Sequence, residues 1–314
     1  MTEVARLGLR WLVKKRSHHE SLAQERAGFR AMERLIPRPP RDTRTLRVDA
    51  GGVPGDCIAV PASRGDRHVL YLHGGGYRVG SAAIYRHFTW RLAAAAQARL
   101  LIIDYRLAPE NPFPAALDDA AAAYRWMLAK GADPRRLAVM GESAGGGLAL
   151  ALLLKLRDEG VPLAAACVAM SPWTDLALTG ASLEQNAASD PMLNADDLPR
   201  FAADYLAGAD PRNPYASPLY GDPAGLPPAL IFAGSDEILR DDATRMAQKL
   251  RDAHSHVELQ IWPRMPHAWP LLVPVLPAAR AAIGEIGRFI GRTMTRERRP
   301  LHRTGPVSEN GTLL

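Results

Sequence analysis

Short apolar runs and helix-period segments alternate along most of this chain. Val69–Leu72 reads as a strand, Tyr85–Ala96 as a helix, Leu100–Asp104 as a strand and Ala115–Lys130 as a helix. Leu137–Met140 (strand), Leu148–Glu159 (helix), Ala164–Met170 and Ala229–Phe232 (strands) continue the series. Asp241–His254 (helix), Val257–Trp262 (strand) and Ala278–Arg292 (helix) complete it. The strand-like runs are nearly continuous in apolar residues, as expected where both faces of a sheet are covered. The pattern therefore predicts an α/β fold with a mostly parallel central sheet flanked by helices. Residues 3–36 carry helical periodicity that stops at Pro37, Pro39 and Pro40, which a helix cannot run through. Residues 176–216 break the alternation, with several prolines and only short helical pieces such as 195–206, and read as an insertion. Residues 293–314 lack apolar periodicity and read as a disordered basic tail. The chain thus divides into an N-terminal helical segment (1–44), a main domain (45–292) carrying the insertion, and the tail.

Composition narrows the class. The 314 residues hold 39 Lys+Arg against 33 Asp+Glu, a formal charge of +6. That excess sits at the ends: residues 1–44 have 11 bases and 5 acids, residues 291–314 have 5 bases and 2 acids, and the body between them is at −3. No zinc-finger spacing, aromatic RNA-binding strand or basic zipper accompanies the charge, so nucleic-acid binding is not expected. Leu7, Trp11 and Leu12 with Arg10, Lys14, Lys15 and Arg16 could form a basic amphipathic helix facing anionic lipid, but a solvated helix face is the simpler reading. No apolar run approaches the roughly 18 residues of a membrane span, and the first residues lack a signal-peptide core. Two cysteines, Cys57 and Cys167, make no disulfide framework, and no zinc-ligand spacing is present. A soluble, cytoplasmic protein without metal or organic cofactor is expected.

Gly141-Glu142-Ser143-Ala144-Gly145 matches G-x-S-x-G between a strand and a helix. Such a corner strains the serine backbone and lifts its hydroxyl above the sheet. It also sets the Ala144 N–H at a helix N-terminus, facing a developing oxyanion. His73-Gly74-Gly75-Gly76-Tyr77 follows an earlier strand, and its glycines free backbone N–H groups to point into a cavity. His73 is expected to anchor this loop rather than to act as a base. An activated serine needs a histidine and a carboxylate to orient it. His267 lies in a turn-rich loop after the last strand, where functional groups of open parallel sheets gather. Asp236, at the end of the preceding strand, is the expected acid, with Glu237 its closest rival. Asp241 and Asp242 suit the start of the following helix. The order Ser143, Asp236, His267 is that of an α/β-hydrolase.

These residues resemble the hormone-sensitive-lipase family of α/β-hydrolases, in its bacterial carboxylesterase branch. The resemblance runs from about residue 65 to 290, through HGGGY at 73–77, DYRLAPENPFPAALDD at 104–119, GESAGG at 141–146, SPWTDL at 171–176, GSDEILRDD at 234–242 and PHAWP at 266–270. It implies a Ser143–Asp236–His267 triad, an oxyanion hole of Gly75, Gly76 and Ala144, and a cap built from the N-terminal helices and the 176–216 insertion. It implies a small-molecule ester substrate of short to medium acyl chain, and it allows a homodimer through the sheet edge. The chain departs from many members at Glu142, where they have Asp, and at His267-Ala268-Trp269, where they have His-Gly-Phe. That ending resembles relatives acting on lactones or acetylated small molecules, so lactone and amide hydrolysis stay open beside ester hydrolysis. A non-enzymatic receptor on the same scaffold is the competing class; such proteins tend to lose the catalytic histidine, and here all three triad candidates are present. Tyr77, Trp173 and Trp269 fall beside the motifs, with pocket lining and plain core packing as equal readings.

Overall fold

The computed structural model describes residues 21–294. The amphipathic segment around Trp11 and nearly all of the expected tail lie outside the described residues.

Eight strands form one sheet: β1 (Arg44–Asp49), β2 (Pro54–Ala59), β3 (Arg64–Leu72), β4 (Ala98–Ile103), β5 (Leu137–Glu142), β6 (Ala166–Met170), β7 (Ala229–Gly234) and β8 (Val257–Trp262). Their spatial order is β1-β2-β4-β3-β5-β6-β7-β8. Every neighbouring pair from β4 to β8 is parallel, and β2 alone runs against the rest. The predicted parallel core is present, each strand within a few residues of its expected bounds. The β1–β2 hairpin at the edge has no counterpart in the apolar pattern, because β1 (Arg-Thr-Leu-Arg-Val-Asp) is almost wholly exposed and β2 opens with Pro54-Gly55.

Among the described residues eight α-helices accompany the sheet: α1 (Leu22–Leu35), α2 (Ala82–Ala96), α3 (Ala115–Ala129), α4 (Ala144–Asp158), α5 (Ser182–Gln185), α6 (Leu198–Leu206), α7 (Arg240–Asp252) and α8 (Pro277–Thr293). Ser21 begins α1 with a capping box, its hydroxyl accepting from Gln24 N–H while the Gln24 side chain accepts from Ser21 N–H. The sheet buries two apolar layers. On one face α3, α4 and α7 cover Leu70, Leu72, Val139 and Ile231 with Tyr124, Leu148 and Met246. On the other, α2 and α8 cover Val69, Tyr71, Met140 and Phe232 with Phe88, Leu92, Ile286 and Phe289. The central strands are therefore apolar on both sides, which explains their continuous hydrophobic runs. Residues 176–216 contain no strand, only α5, α6 and short turns.

Candidate active site

All the chemistry-bearing loops leave the sheet at the carboxyl ends of β3, β5, β6, β7 and β8, which are adjacent in that order. Ser143 sits between β5 and α4 with φ 55° and ψ −126°, a strained conformation for a residue other than glycine. Its own carbonyl accepts from Gly146 N–H, Gly147 N–H and Trp173 N–H, and its N–H donates to Met170 O. This corner presses against the end of β3: a β-carbon on Gly145 would stand 2.1 Å from Leu72 O and 2.4 Å from His73 O. Only glycine fits, and the result is that Ser143 is held against the glycine loop of residues 73–77. Helix α4 begins at Ala144, four residues before the apolar run suggested, so the Ala144 N–H is among the first-turn donors that lack an intrahelical acceptor.

His267 comes from the far side of the sheet. Its loop leaves β8, crosses the end of β7 and then that of β6. Over β7 the approach is so close that a β-carbon on Gly234 would lie 2.1 Å from Met265 O, and Asp236 N–H donates to the same carbonyl. Over β6, Ala268 N–H donates to Ser171 Oγ at 3.0 Å. These two attachments deliver His267 Nε2 to within 2.8 Å of Ser143 Oγ.

The carboxylate facing His267 belongs to Glu237, not to Asp236. Glu237 Oε2 lies 3.7 Å from His267 Nδ1 and accepts from Ser171 Oγ at 2.6 Å. Asp236 is only half-buried; its Oδ1 accepts from Ser235 Oγ at 2.7 Å, and its carbonyl accepts from Ser189 Oγ. The physical reason is burial. Glu237 precedes Ile238 and Leu239, both carried into the core as the chain turns towards α7, and it is taken under the loop with them. The separation, 3.7 Å, is that of an ion pair rather than a hydrogen bond.

Burial pulls the His267 pKa down, but the Glu237 carboxylate, then Asp190 and Glu142, outweigh it and hold the ring above its ordinary 6.5. Burial also raises the Glu237 pKa, with His267 opposing. Ser171, which the motifs did not single out, bridges the acid to the histidine loop from a left-handed backbone (φ 46°). The insertion clamps the acid loop. Asn186 Nδ2 donates to Ser235 O and Glu237 O, and the buried Asp190 carboxylate accepts from Ile238, Met192 and Leu193 N–H groups.

Glu142 holds the glycine loop from below. Its Oε1 accepts from Gly74 N–H at 2.8 Å and from Tyr85 Oη at 2.5 Å, and burial pushes its pKa up to about 8. His73 has the anchoring role expected of it, buried and stacked on Tyr105 at 4.2 Å. The raised Glu142 pKa makes the folded protein bind a proton that the unfolded chain releases near 4.5, so stability falls as pH rises from there towards 8. Asp242, buried and also raised to about 8, adds to the same slope. Glu142→Gln keeps the acceptor and removes the titration. Its thermal midpoint should decline less than that of the wild type between about pH 5 and pH 8, measured by scanning calorimetry.

The three aromatic candidates are all buried. Tyr77 stacks on Tyr205 at 3.7 Å, Trp173 packs beside Tyr77, and Trp269 joins Phe232 and Trp262 in the second apolar layer. Among the described residues no group of His, Cys, Asp and Glu could hold a metal ion, and no helix is long and apolar enough to cross a membrane.

A model of the alpha/beta hydrolase fold matches residues 69–271. An acetyl-hydrolase from Streptomyces hygroscopicus is 48% identical over 256 residues, covering 79% of this chain and 85% of its own length. Among solved structures, an esterase from the bacterial hormone-sensitive lipase family superposes with a TM-score of 0.89 at 42% identity, covering 94% of this chain and 100% of its own. A hormone-sensitive lipase from a metagenome library gives 0.90 at 39% identity, covering 94% and 99%. With this coverage, and with the serine corner, glycine loop and histidine loop of that fold, the chain belongs to the bacterial hormone-sensitive-lipase family of α/β-hydrolase esterases.

Proposed function

We propose that the protein hydrolyses small carboxylic esters of short acyl chain, acetyl esters foremost, through an acyl-enzyme on Ser143. The observation that carries this is the 2.8 Å contact between His267 Nε2 and a strained Ser143 beside a glycine loop. Ser143 Oγ attacks the ester carbonyl as His267 takes its proton, and Glu237 holds the ring with Nδ1–H directed to the carboxylate. The N–H groups of Gly75, Gly76 and Ala144 receive the oxyanion. His267 then protonates the leaving alcohol, and water repeats the sequence to free the acid.

In this reading α1 and residues 176–216 form a cap. Support comes from Phe201 of α6, which lies over Gly76 so closely that a β-carbon there would stand 3.0 Å from the ring. That ring narrows the space beside the oxyanion donors and favours small acyl groups. The 48% identical relative is named an acetyl-hydrolase, which agrees. The reading includes a cytoplasmic enzyme, in line with two buried free cysteines, and a homodimer along the outer edge of β8.

The test is a panel of p-nitrophenyl acetate, butyrate, octanoate and decanoate beside a lactone and an N-acetyl amine. kcat/KM should peak at acetate or butyrate and fall at least about tenfold by decanoate. A peak at decanoate would overturn the chain-length reading, and faster turnover of the lactone or amide would replace ester by that bond class.

A further inference from the structure

Arg78 is a buried cation two residues beyond Gly76, and it belongs to the oxyanion loop itself. Its N–H donates to Gly75 O in the turn that shapes the loop. Its side chain is 2% exposed, and the guanidinium meets three groups from two other segments. Nη1 lies 3.1 Å from Glu25 Oε2 on α1, and Nε lies 2.7 Å from Asp204 Oδ2 on α6. Its central carbon stands 4.6 Å from the centre of the Phe201 ring, also on α6. From α1, Arg26 Nε donates to Arg78 O and Arg26 Nη2 to Ala108 O, while its guanidinium pairs with Glu110. Ala108 N–H in turn donates to Tyr77 O, and Tyr77 stacks on Tyr205 of α6. The N-terminal helix, the insertion helix and the oxyanion loop therefore converge on one side chain.

We propose that Arg78 is a positioning residue that ties cap docking to the geometry of the oxyanion hole. This inference rests on the reading of Gly75 and Gly76 as oxyanion donors. A buried guanidinium is stable only while its charge is matched, and losing a partner is strongly unfavourable. When α1 and α6 are seated, two carboxylates and an aromatic face match it. When either helix lifts, the guanidinium must move towards water. Because its own backbone closes the turn on Gly75, that movement displaces the donors. The hole is thus in register for reaction only under a closed cap, and the catalytic step is gated by the same contact that seats the lid.

The test compares Arg78→Met with Arg78→Lys and Asp204→Asn, each titrated for active sites with an organophosphate. For Arg78→Met, kcat per titrated site on p-nitrophenyl butyrate should fall about 10- to 100-fold, the scale of a misplaced donor. KM should stay within about threefold, and the inhibition constant of a trifluoromethyl ketone, which forms an oxyanion on the enzyme, should rise in step with the loss in kcat/KM. Arg78→Lys should recover part of the loss, and Asp204→Asn should show a smaller fall of the same kind. A merely structural role would lower the melting temperature and the titre while leaving kcat per site and ketone affinity unchanged, and that result overturns the proposal. A change confined to KM overturns it as well. If Arg78→Met does not fold, Asp204→Asn decides on the same readouts. Failure here leaves Ser143 labelling intact, whereas failure of the serine-esterase reading would abolish labelling in the wild type too.

Discussion

Ser143→Ala is expected to lower kcat on p-nitrophenyl acetate by at least about 10⁴-fold, with the fold and melting temperature preserved. The size follows from the unit to which Ser143 belongs: once the nucleophile is gone, His267 has no hydroxyl proton to take and Glu237 no imidazolium to stabilise, and only binding and the oxyanion donors remain. Stability should change little or rise. The substitution keeps the Cβ and every backbone hydrogen bond of the corner, removing one hydroxyl that meets His267 Nε2 at 2.8 Å. Alanine inherits the same positive φ, so the corner's strain is retained. Steady-state kinetics with active-site titration checks this, and turnover of the variant within about tenfold of wild type would remove Ser143 from the mechanism.

Glu237→Gln should cost about 10²- to 10⁴-fold in kcat/KM, whereas Asp236→Asn should stay within a few-fold. An amide at 237 still fills the buried site and still accepts from Ser171, but it no longer stabilises the imidazolium that forms as Ser143 attacks. The pH profile separates this from a packing defect. In the proposed mechanism neutral His267 is the base, and its raised pKa places the acid limb of kcat/KM above 6.5 in the wild type. Removing the Glu237 charge removes the main upward influence while burial keeps pulling down, so the limb of the variant should move to lower pH. If Asp236→Asn suffers the large loss and the shifted limb instead, the acid assignment returns to Asp236.

The difference between those two carboxylates marks how far the sequence could be read. The parallel core was legible because strands covered on both faces need continuous apolar runs, and β5, β6 and β7 have them. The β1–β2 hairpin was not, since an exposed edge strand such as Arg44–Asp49 carries no apolar signature. In the site, Ser143 and His267 stood out through strand–turn–helix context and position after the last strand. The acid did not, because Asp236 and Glu237 are adjacent and strand position alone favours the first. What separates them is burial beside Ile238 and Leu239, a signal present in the letters but visible only once the turn into α7 is known. Ser171 and Arg78 were illegible for a different reason. Each acts by meeting groups 50 or more residues away in the chain, such as Glu237 and Glu25, and no local pattern records such a meeting.

The crossing of the histidine loop has a consequence for chain length. From β8 to β6, where Ala268 is seated, is two strand spacings, roughly 10 Å, and the His267 side chain covers the last spacing to Ser143 at the end of β5. Five steps of backbone from Trp262 to His267 reach at most about 17 Å fully extended. The slack is taken up by a turn, in which Met265 N–H donates to Trp262 O, and the path is then pinned at two seats, Met265 over Gly234 and Ala268 on Ser171. Side chains at 263, 264 and 266 can vary with little effect on the span, but the number of residues cannot. One deletion or one insertion would unseat a contact over β7 or β6 and carry the imidazole off Ser143. In this stretch of the chain, the quantity that function holds constant is a count.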